Sequence, residues 1–295
     1  MNGKILASAS LIVLAATLAG CGEGGVASTP TPTPTPSASY TKIADMAGDR
    51  TLQSGGIQYN SAQSGFSNGT AVAFGNGPTI AYTAASDSYK LTAGDGTTST
   101  FTPADVVNPT PAGATLQYRK VSGATTDVFT IIVPQGGSVT LSYLLVGSWI
   151  RSDASGATIR LGVAGSPTLA SDMPRTGSAT YAGGTGGTAV MNNAGQSLSP
   201  TSTATFSANF ASNSVTTALN LSSAATNFGT YNGTGTISST GPGFSGSLSG
   251  TNGSGLFSGG FFGPQALEMG YSWYLTGNVS GTPFSAVGTA VGVKQ

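Results

Sequence analysis

From Thr176 to Gln295 the chain runs for 120 residues with only two charged side chains, Glu268 and Lys294. It has no convincing 3.6-residue apolar period, and Gly, Ser, Thr and Asn interrupt every window. The whole chain holds 45 Gly and 80 Ser plus Thr among 295 residues. Short β-branched and aromatic runs recur between Gly-rich turns instead, at about 10–12 residues, the spacing of a sandwich or barrel. The strand candidates are Ser178–Ala182, Gly187–Met191, Ala204–Phe210, Ser214–Leu221, Phe228–Ser238, Gly243–Leu248, Gly255–Phe262, Glu268–Leu275 and Phe284–Val293. Ala204, Phe206, Ala208 and Phe210 fall on one face of such a strand. Closure into a barrel would hide edges that the sequence has too few lysines to protect.

The region before residue 175 carries more charge but has the same texture. Thr79–Tyr82, Ser88–Leu91, Thr115–Val121, Asp127–Val133 and Ser138–Arg151 read as strands. Val139 to Ile150 is the most apolar segment after residue 40 and reads as a strand buried on one face. Gly147 and the β-branched content argue against a short helix there.

Composition removes most chemistry. The chain has no His, so it cannot run a Ser-His-Asp or Cys-His relay or build His-ligated zinc. Its single Cys, Cys21, excludes an internal disulfide framework. Ten basic against ten acidic residues give no electrostatic footprint for nucleic acid. There is no G-x-S-x-G elbow, P-loop, H-E-x-x-H or Rossmann fingerprint, and Gly94-Asp95-Gly96-Thr97 holds too few oxygen ligands for a calcium loop. The expectation is a chain with no catalytic site, no metal and no cofactor. Catalysis through scattered Asp residues is the least favoured reading.

The first residues read as an address. Lys4 supplies a positive start, Ile5 to Thr17 a short apolar run, and Leu18-Ala19-Gly20-Cys21 follows. The run is too short to span a bilayer and fits a secretory signal over residues 1–20. Small residues before a Cys resemble the bacterial lipobox, in which the Cys becomes the new N-terminus and is acylated, with palmitate among the chains. Cys21 is therefore the expected lipidation site. Stable anchoring takes more than one chain at about 0.8 kcal/mol per buried methylene. Gly22 stands where an Asp would retain an enterobacterial lipoprotein at the inner membrane, so the expected address is the outer membrane, facing either the medium or the periplasm. Residues 21–39 form a Gly-rich then Thr-Pro linker. Within this disordered linker the strictly alternating prolines of Ser28 to Pro36 make an extended spacer of about 30 Å at roughly 3.1 Å per residue.

Three phrases further on resemble one family. Asp172-Met-Pro-Arg-Thr-Gly-Ser-Ala-Thr-Tyr-Ala-Gly-Gly184 is similar to the "MPxxGxAxYxG" opening of the barrel in transferrin-binding protein B-like lipoproteins. Thr205 to Leu221 resembles the next hairpin of that barrel. Gly255-Leu-Phe-Ser-Gly-Gly-Phe-Phe-Gly-Pro-Gln-Ala-Leu-Glu-Met-Gly270 resembles the "GxFYGPxAxExGG" signature, with Phe262 in place of Tyr and Tyr271 in place of the second Gly. The phrases come in family order and cover residues 172–295. The resemblance implies an all-β protein, with a handle-like β domain over residues 40–171 and a closed eight-stranded antiparallel β-barrel over residues 172–295. It further implies a single-barrel member, similar to the solute-binding and factor-H-binding-protein-like forms, that captures a protein or solute through barrel and handle loops. It assigns no ligand residues. The alternative is a structural outer-membrane lipoprotein with no specific ligand.

Single residues read mostly as structure. Glu268 is expected to accept backbone N–H groups at its own turn, against a role as a contact or cation site. Trp149, Trp273, Tyr181, Tyr231, Tyr271 and Tyr274 read as core or interface packing rather than ligand platforms. Arg119, Lys120, Arg151 and Arg160 are the densest basic set and read as a solvated face rather than an anion site.

Overall fold

The computed structural model describes residues 39–62, 64–112, 114–134 and 141–295. Cys21, the signal segment and nearly all of the linker lie outside them. Residues 38–295 form one compact unit.

Among the described residues the N-terminal half contributes ten strands: β1 (Arg50–Leu52), β2 (Ser54–Ala62), β3 (Gly65–Val72), β4 (Thr79–Thr83), β5 (Ser88–Thr92), β6 (Thr98–Phe101), β7 (Leu116–Ser122), β8 (Thr125–Ile132), β9 (Leu144–Asp153) and β10 (Gly156–Gly165). They form a four-stranded sheet, β1-β4-β5-β6, and a six-stranded sheet, β3-β2-β10-β9-β8-β7. Ile80, Leu91 and Phe101 from the small sheet bury against Tyr118, Phe129, Leu145 and Trp149 from the large one.

The C-terminal half contributes β11 (Ser178–Met191), β12 (Ala194–Ser197), β13 (Thr203–Asn209), β14 (Ser214–Ser222), β15 (Asn227–Ile237), β16 (Gly243–Gly250), β17 (Gly253–Phe262), β18 (Glu268–Val279) and β19 (Thr282–Lys294). Each long strand pairs antiparallel with the next, and β19 returns to pair with β11 from Met191↔Phe284 to Tyr181↔Lys294. This closes an eight-stranded antiparallel barrel. β12 is a short extra strand on β11, beyond the point where β13 leaves it.

Period-2 patterning decides what faces inward. On β14, Val215, Leu219 and Leu221 are buried in the lumen while Thr216 and Asn220 are exposed. The expected face of β13 is borne out: Phe206, Ala208 and Phe210 are buried and Ala204 packs against them. The lumen is filled by rings, including Phe244, Phe257, Phe261, Tyr271 and Trp273. Each such side chain contributes about 1.5–3 kcal/mol of burial. The outer face of β13 to β16 presents Thr203, Thr205, Thr230, Asn232, Thr234, Ser247 and Ser249. An apolar lumen behind a hydroxylated wall is the reverse of a lipid-spanning barrel, whose apolar band faces outward. Among the described residues no helix is long and apolar enough to cross a membrane.

Two expectations need correction. The Val139–Ile150 run was expected to bury one face; its described part, residues 141–150, leads into β9, which buries both. Leu145 and Trp149 face the small sheet, while Leu144 and Val146 face the barrel wall with Phe262. The six-stranded sheet is a middle layer, and such strands read as continuous apolar runs. Ser178–Ala182 and Gly187–Met191 were expected as two strands; they are one, β11. Gly183 and Gly187 are not turns. A Cβ on Gly183 would stand 1.8 Å from the Val291 carbonyl oxygen, so these glycines let β19 approach.

Candidate functional site

The signature phrase sits where the two halves meet. Gly263, at φ +70°, ends β17. Gln265 and Ala266 then both take left-handed backbone, at φ 52° and 55°. Left-handed backbone costs a non-Gly residue about 1–2 kcal/mol. Neighbouring contacts hold the turn in place. The Tyr181 hydroxyl donates to the Ala266 carbonyl at 2.7 Å, and the Gln265 N–H donates to the Asp172 carboxylate at 3.0 Å. The Gln265 side-chain amide donates to the same carboxylate.

Glu268 follows, buried and at the start of β18. Its carboxylate accepts the N–H groups of Ser142 at 2.5 Å and Tyr143 at 2.9 Å. Backbone N–H partners were expected, but at its own turn. They come instead from the segment leading into β9, so Glu268 ties barrel to handle. Burial pushes its carboxyl above the usual range, and the N–H bonds only partly oppose that.

The described chain enters at this same end. The Tyr40 hydroxyl donates to Asp172 at 2.8 Å and accepts the Leu169 N–H at 3.0 Å, and its ring meets Tyr143 edge-on. Asp172 thus gathers Tyr40 and Gln265. Nothing in the sequence marked it beyond its place at the head of the first phrase.

In the handle, Asp127 is buried and accepts from Trp149 Nε1 at 2.8 Å, from Arg151 at 2.8 and 2.9 Å, and from Ser99 at 3.0 Å. Burial pushes its carboxyl up, but the bonds from Arg151, Trp149 and Ser99 outweigh that and hold it below the usual carboxylate range. The basic set is therefore not one solvated face. Arg119 is exposed, but Arg160 is buried, lies over Trp149 and pairs with Asp95. Arg151 and Lys120 donate to the Thr98 and Thr100 carbonyls and so blunt the open edge of β6. Trp149 and Trp273 are core residues, as expected, and Tyr181, Tyr231, Tyr271 and Tyr274 are buried.

The strand directions divide the molecule into two ends. The β17–β18 turn, the β15–β16 turn and the entering chain share one end. At the other lie the barrel turns Asn192–Asn193, Ser223–Thr226, Thr251–Asn252 and Ser280–Gly281, none of them charged. β9 starts beside Glu268 and runs toward that far end, alongside β2 two strands away. The Phe66 N–H at the start of β3 donates to Ser285 near the start of β19, which places the β2–β3 hairpin there too. The handle turns Ser122–Thr125 and Asp153–Gly156 point the same way. The far end is thus a surface of hairpin tips drawn from both halves. Among the described residues no group of His, Cys, Asp and Glu could hold a metal ion.

Residues 173–291 match the family model of the C-lobe and N-lobe beta barrels of Tf-binding protein B. The chain resembles isotype 1 transferrin binding protein B from serogroup B Neisseria meningitidis at 19% identity and a TM-score of 0.44, over 83% of this chain and 43% of that one. It resembles a double mutant of transferrin binding protein B from Haemophilus parasuis Hp5 at 14% identity and a TM-score of 0.43, over 81% of this chain and 60% of that one. The chain thus spans about half the length of these structures. No curated protein matches it. Over residues 173–291 the chain carries a β-barrel of the transferrin-binding protein B kind.

Proposed function

We propose that this is a lipid-anchored envelope protein that captures a protein or solute ligand at the far end, through barrel and handle turns. Residues 40–171 act as the handle and 172–295 as the barrel. Acylated Cys21 inserts in the outer membrane after removal of residues 1–20, and residues 21–39 are the spacer. One observation carries the reading: the described chain enters beside Asp172 and Glu268, while the hairpin tips of both halves gather at the opposite end. A molecule tethered at its entry end presents the other end outward. The matched family is named for binding transferrin; what this chain binds is set by its own turns, which are uncharged on the barrel side and suit a partner held by hydroxyl and amide groups.

The anchor and the capture face are tested separately. Cys21→Ala should abolish labelling by a palmitate analogue and leave residues 1–20 uncleaved, read as a higher mass. Labelling that survives would remove the anchor. With the anchor intact, replacing Ser223–Thr226 and Ser280–Gly281 by other hairpin turns should abolish binding of a partner retained by the wild-type protein, with an unchanged unfolding midpoint. An inert structural lipoprotein would show no retained partner.

A further inference from the structure

The handle sandwich holds a second candidate site that is separate from the far-end turns. On the face of the six-stranded sheet that looks into the sandwich, one cross-strand row reads Gly56, Gly162, Gly147, since Gly162 pairs with both of the others. Three missing side chains in a row leave a slot across three strands, a cavity of about 50 Å³. Ile80 and Leu91 line it from the small sheet, and Phe129, Trp149 and Arg160 from the large one. The fold requires glycine at only part of this floor. A Cβ on Gly56 would stand 2.2 Å from the Leu161 carbonyl oxygen, and one on Gly162 would stand 2.8 Å from that of Gly55. A Cβ on Gly147 would meet nothing closer than 3.7 Å. At Gly147 the space is left open without a backbone reason.

Arg160 stands in the next row, paired across the sheet with Trp149 and Gln58. Its side chain is 6% exposed, and its guanidinium centre lies 4.9 Å from the Trp149 ring. Among the described residues only one of its nitrogens is used: Nη2 donates to Asp95 at 2.8 Å, while Nε and Nη1 are buried without a hydrogen-bond partner there. Buried donors left unmade cost about 1–3 kcal/mol each, more when charged. Asp95 belongs to the Ala93–Thr97 turn at the mouth of the slot and is itself about half exposed, with a side-chain exposure of 53%.

We propose that this slot binds a short-chain monocarboxylate, with the carboxylate on Arg160 in place of Asp95 and the alkyl tail on the Gly56–Gly162–Gly147 floor. The chemistry selects this class. A guanidinium fork matches a planar carboxylate through two parallel bonds, and Asp95 already shows that a carboxylate reaches this group. The surrounding walls are mostly apolar, with Ser54, Gln58 and Asn76 among them, and a phosphate dianion would be costly to bring in. A cavity of about 150 Å³ takes benzene, so this smaller one limits the tail to a few carbons.

Butyrate is the probe, butanol its uncharged control, and the full mature chain the protein. The Arg160 Nε–H resonance reports directly on the unpartnered donor. Butyrate should shift it saturably and butanol should not. Asp95→Asn, at an exposed turn, should tighten butyrate binding at least threefold by removing the competitor. Gly147→Val, which fills the floor, should weaken it at least tenfold, with the unfolding midpoint of each variant confirming that it folds. No saturable shift with butyrate, an equal response to butanol, or undiminished binding in Gly147→Val would each overturn the assignment.

Discussion

Glu268 and Asp127 are two buried carboxylates held by different means. Glu268 is satisfied by backbone N–H groups of a segment more than 120 residues away in sequence, so replacing it strands those donors. Glu268→Ala should lower stability by about 1–3 kcal/mol, read as a shift of the urea midpoint. An unchanged midpoint would show that the junction does not depend on it. Asp127 is held by a guanidinium, an indole and a hydroxyl. Asp127→Asn should cost about 3 kcal/mol at neutral pH. Because the folded state lowers the Asp127 pKa, its contribution is complete above the unfolded value of about 3.9 and is lost as pH falls through the folded value. The gap between wild type and Asp127→Asn should therefore shrink from pH 7 to pH 3. At this scale little was legible beforehand. The tryptophans could be assigned to the core because a large apolar ring has few other places to go. The partners of Glu268, Asp127 and Asp172 could not, since each comes from a remote strand that only the fold brings near.

Strands were legible where they alternate and obscured where glycine sits inside them. β13, β14 and β15 stand within two residues of their expected bounds because a polar outer face and an apolar lumen write the period into the sequence. β11 was read as two strands, since Gly183, Gly184, Gly186 and Gly187 look like turn residues. β2, with Gly55 and Gly56, and β10 gave no clear strand signal at all. In-strand glycine here serves close approach. A Cβ on Gly288 would stand 2.4 Å from the Trp273 ring and 2.2 Å from the Gly186 carbonyl oxygen, whereas one on Gly184 would meet nothing within 4 Å. Gly288→Ala should thus cost about 1–3 kcal/mol by overpacking. Gly184→Ala should stay within about 0.5 kcal/mol of wild type. Equal midpoints for the two variants in urea would contradict this account of β11 and β19.

The whole molecule is organised around the six-stranded sheet, which packs the small sheet on one face and the barrel wall on the other. Tyr59 and Ile159 meet Tyr274 and Val287 across the seam, and Leu144 and Val163 meet Phe262. No pattern in the first half revealed that its sheet was buried twice; even the apolar run of β9 reads as buried on one face. Two apolar faces on one sheet predict a single unfolding unit. Trp149 sits in the handle and Trp273 in the barrel, so Trp273→Phe and Trp149→Phe leave one reporter in each. Each variant, followed by its remaining tryptophan and by far-ultraviolet circular dichroism, should give coincident transitions; separated transitions would mean that handle and barrel unfold independently. The capture face is tested most directly by photo-crosslinking on intact cells of the producing organism, with the crosslinker placed either at Ser280 of the far end or at Thr240 of the entry end. An adduct of defined mass is expected from Ser280 and none from Thr240. Adducts from Thr240 alone, or from neither position, would contradict a capture face at the far end.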